Sequence, residues 1–150
     1  MNRLIQALLW PFMRLYVHKS RRTRVLLICN NQVLLVRHRL DRPEWKVPGG
    51  GIKKGESAKD GVCRELKEEL GLEVNVKDLI HLFDQAVTQQ PFTYTAVCFA
   101  VELPSQEFRR HWLELARAEW FSIDALPVPM HPLVRPMLDS WQQLTKLKSS

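Results

Sequence analysis

Apolar residues enter this chain in two rhythms. Val25-Leu26-Leu27-Ile28-Cys29 and Val33-Leu34-Leu35-Val36 are short unbroken runs separated by Asn30-Asn31-Gln32, which predicts two strands joined as a hairpin. Glu73–Val76, Leu79–Val87 and Phe92–Leu103 carry the β-branched and aromatic content of further strands, with Thr88–Pro91 as the turn between the last two. The other rhythm is helical. Val62, Leu66 and Leu70 recur every fourth residue between Ser57, a natural N-cap, and Gly71, a natural stop. Leu133, Met137, Leu138, Trp141 and Leu144 give the same signature over Pro132–Leu147, a helix expected to cover the sheet. At the start, Leu4, Ile5, Leu8, Leu9, Phe12, Met13 and Tyr16 trace an amphipathic helix that Pro11 should kink. Residues 104–119 follow neither rhythm and read as a loop or irregular segment.

Composition narrows the class. A chain of 150 residues with 45% hydrophobic content suits one domain, here 22–150, preceded by an amphipathic helix and basic linker over 1–21. The first segment is too short in apolar residues, and too interrupted by Arg14, to span a membrane. No small-residue cleavage site precedes the basic stretch His18–Arg24, which argues against a secretory leader. Two roles stay open for it: packing on the domain or on a second copy in a homodimer, and peripheral contact with an anionic membrane surface. Cys29, Cys63 and Cys98 have no C-x-x-C spacing and sit among apolar neighbours, as expected of core cysteines in a reducing cytoplasm. The net charge of +6 suits a polyanionic partner, either a phosphate-bearing small molecule or nucleic acid, and charge alone does not choose between them.

The chemistry concentrates in residues 48–72. Glu65, Glu68 and Glu69 fall at i, i+3 and i+4 on one helix, so three like charges crowd within a turn and call for a hard cation. Gly49, Gly50, Gly51 and Gly55 precede them and allow the backbone to approach a ligand closely. A run of Glu and Lys on a helix is by itself usually a solvated face. The spacing changes that judgement. Gly50, Glu56, Arg64, Glu65, Glu68, Glu69 and Gly71, with aliphatic Leu66 and Leu72, match every position of G-x(5)-E-x(7)-R-E-U-x-E-E-x-G-U, U being aliphatic. Chance would produce such a match at a given start roughly once in 10⁸.

In this stretch the chain resembles the Nudix hydrolases. The resemblance implies an αβα sandwich, a mixed sheet between helices, to which the N-terminal amphipathic helix is an addition. It implies hydrolysis of a nucleoside diphosphate linked to another group, with Mg²⁺ or Mn²⁺ activating water. ADP-ribose or a nucleotide sugar is the first expectation; a nucleoside triphosphate, a dinucleoside polyphosphate, or a catalytically silent module binding nucleotide or RNA are the alternatives. By the same resemblance Glu65, Glu68 and Glu69 are metal ligands, joined by the Gly49 carbonyl and by Glu56, while Arg64 orients the carboxylates. The general base is either Glu65 or an acid from a later loop, where Glu119 stands ahead of Glu114 because it adjoins Trp120. Arg39, Gly50 and Gly51 are the expected phosphate contacts, and Phe83, Gln85 and Tyr94 are candidates to meet the group beyond the diphosphate. No histidine shows ligand spacing, and none is assigned a role.

Overall fold

The computed structural model describes residues 20–89 and 92–150. The expected helix over residues 1–17 lies outside them. Strands β1 (Arg21–Cys29) and β2 (Gln32–His38) meet at a two-residue turn in which Asn30 and Asn31 both take positive φ, 52° and 58°. Asparagine tolerates that region better than other residues with a Cβ, and the resulting type I′ twist suits a hairpin. Gln32 already belongs to β2. Strands β3 (Ile80–Gln89), β4 (Phe92–Glu102) and β5 (Leu115–Ser122) complete a five-stranded sheet of order β3-β4-β1-β2-β5, in which only β1 and β4 run parallel.

Among the described residues one helix covers each face. Helix α1 (Ala58–Leu70) buries Val62, Leu66 and Leu70 completely against Val25, Leu27, Leu34 and Val36. Each such residue contributes about 1.5–3 kcal/mol. Helix α2 (Val134–Lys148) sets Met137 and Leu138 against Leu26, Ile28, Val33 and Leu35, the alternate residues of the same two strands. The unbroken apolar runs are thus strands buried on both sides.

Three local expectations are corrected. Glu73–Val76 is not a strand: Cys63 Sγ donates to the Val74 carbonyl at 3.2 Å, and the Asn75 side chain accepts from Lys77 N–H to open a 3₁₀ turn over Val76–Asp78. The Val74 carbonyl is thus taken by a side chain of α1, and the Asn75 cap turns the chain into the 3₁₀ turn instead of a ladder. Thr88 and Gln89 extend β3 instead of turning. Leu115–Glu119, expected to be irregular, forms most of β5. A register shift between Arg37 and His38 breaks the alternation of its apolar residues, so Leu115 and Ala118 face α1 although they are three apart.

The hairpin strands pair only beside their turn, at Ile28–Val33 and Cys29–Gln32. Beyond it they separate, and residues 45–52 fill the gap. Val36 exchanges two backbone hydrogen bonds with Lys46, at 2.8 and 3.1 Å. Val25 N–H donates to Pro48 O (3.0 Å), Thr23 N–H to Gly50 O (2.8 Å), and Ile52 N–H to Arg21 O (3.2 Å). This wedge fixes the glycine run between the splayed strands, directly under α1.

Candidate active site

Helix α1 begins and ends as its sequence demands. Ser57 Oγ accepts the Asp60 N–H at 3.1 Å and donates to Asp60 Oδ2 at 2.7 Å. At the other end Gly71 takes the left-handed conformation (φ 61°); its N–H donates to Lys67 O and that of Leu72 to Leu66 O, a Schellman stop. Two further carbonyls of the last turn are met by a distant loop. His111 N–H donates to Glu69 O at 2.7 Å and Arg109 N–H to Leu70 O at 2.9 Å. That pinning carries Leu113 and Glu114 over the acidic edge of the helix.

There a cavity of about 330 Å³ opens, lined by Gly49, Gly50 and Gly51, by Glu65 and Glu69, and by residues from both flanks. The flanks contribute Arg22, His38, Leu40, Leu113 and Glu114. A Cβ on Gly50 would lie 2.2 Å from Glu65 Oε1, so glycine is required for this carboxylate to rest on the loop. Glu69 is 3% exposed; its Oε1 lies 3.0 Å from His38 Nε2, and its Oε2 is buried without a hydrogen-bond partner. An unpaired buried carboxylate oxygen is costly, and it is the donor that a hard cation takes.

Arg64 organises the other acids. It grips Glu56 with two hydrogen bonds, Nε to Oε1 at 2.7 Å and Nη2 to Oε2 at 3.0 Å. It also donates to Glu65 Oε1 (2.9 Å), to the Gly51 carbonyl (2.9 Å) and at 3.4 Å to Glu68 Oε2. The expected pairing with Glu68 is therefore present but is the longest of the set. Gly61 leaves room for the grip, since a Cβ there would stand 3.3 Å from Glu56 Oε2. The two-pronged hydrogen bond from Arg64 holds the Glu56 carboxyl far below its ordinary value of 4.5, at about 2. A carboxyl depressed by folding contributes stability that is complete above its ordinary value and is lost as pH falls toward its folded value. The stability of the wild type should thus fall between pH 4.5 and about 2 through this group, and Arg64→Met should flatten that decline. Melting temperatures of both proteins at pH 6 and pH 3 check it; a difference between the two proteins that is unchanged across that interval rejects it. Glu65 is pushed the other way. Its burial raises the carboxyl, the Arg64 hydrogen bond opposes, and the charges of Glu69 and Glu68 add to the rise.

The expected site residues are only partly brought together. Glu65 and Glu69, four apart, face the cavity with all three glycines. Glu68, three from Glu65, swings to the outer side with its side chain 52% exposed. Among the described residues no three His, Cys, Asp or Glu side chains gather closely enough to hold an ion, because Arg64 draws Glu56 and Glu65 to itself. Arg39 does not line the cavity. Its N–H donates to Glu114 O (3.1 Å) and its Nε to Trp112 O (2.5 Å), so it positions the loop that bears Glu114. Of the two later acids, Glu114 lines the cavity, whereas Glu119 alternates with Arg117 and Phe121 on the α2 side of β5 and pairs with Arg117. Phe83 and Tyr94 pack with the α2-side core, and Gln85 is exposed. Arg22 and His38 are cavity residues that the sequence reading passed over. Arg22 lay inside the basic stretch His18–Arg24, where it had no motif to single it out, and His38 meets Glu69 across 31 positions, which no local spacing reveals.

The NUDIX domain family model matches residues 19–141. The chain is 26% identical over 116 residues to the ADP-ribose pyrophosphatase of Methanocaldococcus jannaschii, covering 76% of this chain and 68% of that protein. It is 28% identical over 115 residues to the NAD-capped RNA hydrolase NudC of Vibrio parahaemolyticus, covering 73% of this chain and 42% of that protein. The second match therefore spans well under half of the relative's length. The fold is similar to a MutT NUDIX hydrolase from Burkholderia pseudomallei, with TM-score 0.74, 22% identity, and coverage of 82% of this chain and 98% of the other.

Proposed function

The chain belongs to the NUDIX domain family, and from that premise we propose that it is a Mg²⁺- or Mn²⁺-dependent pyrophosphohydrolase acting on a nucleoside diphosphate linked to a second group. ADP-ribose and nucleotide sugars are the favoured substrates, in keeping with the ADP-ribose pyrophosphatase it resembles. The observation that supports this reading best is the pairing of two helix-borne carboxylates, Glu65 and Glu69, with a three-glycine wall and Arg22 around one cavity.

The residues fit a hard divalent cation. Glu69 presents a buried oxygen with no protein partner and Glu65 lies against the Gly50 backbone, so the helix offers carboxylate oxygens to the cavity. Glu65, Glu68 and Glu69 would hold the ion together with the Gly49 carbonyl, and Glu56 would act alongside them. When bound, the metal neutralises diphosphate charge and lowers the pKa of a water molecule. The chain's own groups do the rest. Arg64 fixes Glu65 and Glu56, and a carboxylate within the cavity, Glu65 or Glu114, accepts the water's proton. Gly50 and Gly51 admit the phosphates, and Arg22 supplies a guanidinium beside them. Leu40 and Leu113, 71% and 58% exposed, form an apolar lip for the nucleoside.

A screen of purified protein against ADP-ribose, nucleotide sugars, oxidised nucleoside triphosphates and dinucleoside polyphosphates, with Mg²⁺, Mn²⁺ or EDTA, tests the proposal. Metal-dependent release of a nucleoside monophosphate from ADP-ribose or a nucleotide sugar is the expected result. A folded protein that cleaves no diphosphate bond in the panel rejects the enzymatic reading and leaves the binding module.

A further inference from the structure

The α2 face of the sheet carries a cationic centre that extends beyond the cavity, since of its arginines Arg22 lines the cavity and Arg24 does not. Arg22 and Arg24 are two apart on β1, the same alternation that sends Leu26 and Ile28 to that face. Both guanidinium groups lie over one ring, that of Tyr94, at 5.8 and 5.3 Å from its centroid. Arg24 is 7% exposed and Tyr94 5%. Arg24 donates to the Thr23 carbonyl at 2.9 Å and to the Tyr94 hydroxyl at 3.3 Å, and its Nε is buried without a partner; the Nε of Arg22 is in the same condition.

No carboxylate answers these charges at contact distance. Among the described residues neither arginine forms an ion pair. Lys46, buried nearby, adds a third cation, and its charge is met by Asp41. His131 is kept neutral, its pKa down to about 4, by burial first and by Arg24 next. A guanidinium removed from water with no anion beside it is unfavourable, and removing its charge is often neutral or stabilising. Two guanidiniums backed by one aromatic ring are instead the arrangement that recognises a phosphate. Arg22 links this centre to the cavity: it pairs with Gly51 across the splayed strands and lines the cavity with Glu65 and Glu69.

We propose that Arg22, Arg24 and Tyr94 form an anion subsite for a phosphate monoester carried by the substrate apart from its scissile diphosphate. The preferred substrate class is then a nucleotide bearing an additional phosphate, such as one on its ribose. That the ligand is a substrate rests on the proposed hydrolysis; that the centre binds a phosphate does not.

Binding measured in EDTA, without divalent metal, keeps the two apart. Wild type, Arg24→Met and Arg22→Met are titrated calorimetrically with AMP, adenosine 2′,5′-bisphosphate and adenosine 3′,5′-bisphosphate, and melted with and without orthophosphate. At least one bisphosphate should bind the wild type about ten-fold or more tighter than AMP, a preference that both substitutions remove. Arg24→Met should melt no lower than wild type in the absence of phosphate, and orthophosphate should raise the melting temperature of the wild type alone. Should Arg24→Met fail to fold, Arg22→Met carries the comparison. Bisphosphates that bind no tighter than AMP, or a preference that survives in the arginine variants, overturn the subsite whatever the hydrolysis screen returns.

Discussion

Glu69→Gln should lower kcat/KM by about a thousand-fold or more, equivalent to roughly 4 kcal/mol of transition-state stabilisation, while leaving the fold intact. The amide keeps the size of the carboxylate and can still accept a hydrogen bond from His38, so the packing of α1 is undisturbed. What disappears is the negative charge on the buried, unpartnered Oε2, the atom that suits a divalent cation. Because Glu69 is only 3% exposed and among the described residues no Lys or Arg pairs with it, Gln should match or exceed the wild type in melting temperature measured in EDTA. Glu65→Gln should show a comparable loss, and Glu68→Gln should also cost orders of magnitude if its half-exposed carboxylate turns to the ion. Near-normal turnover in both Glu68→Gln and Glu69→Gln, with folding confirmed, would falsify the assignment of these acids.

Gly49→Ala should be the most damaging single substitution for folding, at about 3 kcal/mol or more. Gly49 has φ +149°, outside the range open to residues with a side chain, and a Cβ built there falls 2.1 Å from the Thr23 carbonyl oxygen and 2.8 Å from its carbon. Those atoms belong to β1 and cannot yield, because Val25 N–H and Thr23 N–H are bonded to Pro48 and Gly50 on either side. Gly55 is the control. It also has positive φ, +78°, but open space surrounds it, so Gly55→Ala should cost only about 1 kcal/mol of backbone strain. Urea unfolding of the two variants measures the contrast, and equal losses would mean that the close approach of the loop to β1 is not what Gly49 secures.

The helix was legible in the sequence because its determinants are local. Ser57, the fourfold spacing of Val62, Leu66 and Leu70, and Gly71 are each read over one or two turns, and all appear in their expected roles. The same holds for the hairpin at Asn30 and Asn31. The failures fall where partners are remote. Glu73–Val76 has strand composition but places its Val74 carbonyl on Cys63 and leads into a 3₁₀ turn capped by Asn75, while Leu115–Glu119 gained its strand pairing from β2 across a bulge. Glu119 was favoured by its neighbour Trp120, yet strand alternation sends it to the face opposite α1, and Glu114 reaches the cavity through a loop pinned on the carbonyls of Glu69 and Leu70.

By itself the sequence determined the acidic helix, its glycine approach and the family these announce, since seven spaced residues specify them without reference to the rest of the chain. Only the tertiary structure decided which acids share a cavity, that Arg64 clasps Glu56 more tightly than Glu68, and that His38 and Arg22 join them. The reason is geometric. Helical spacing places residues on a face, but the splayed strands and the wedge between them decide what that face meets, and burial then sets which charges lack a partner.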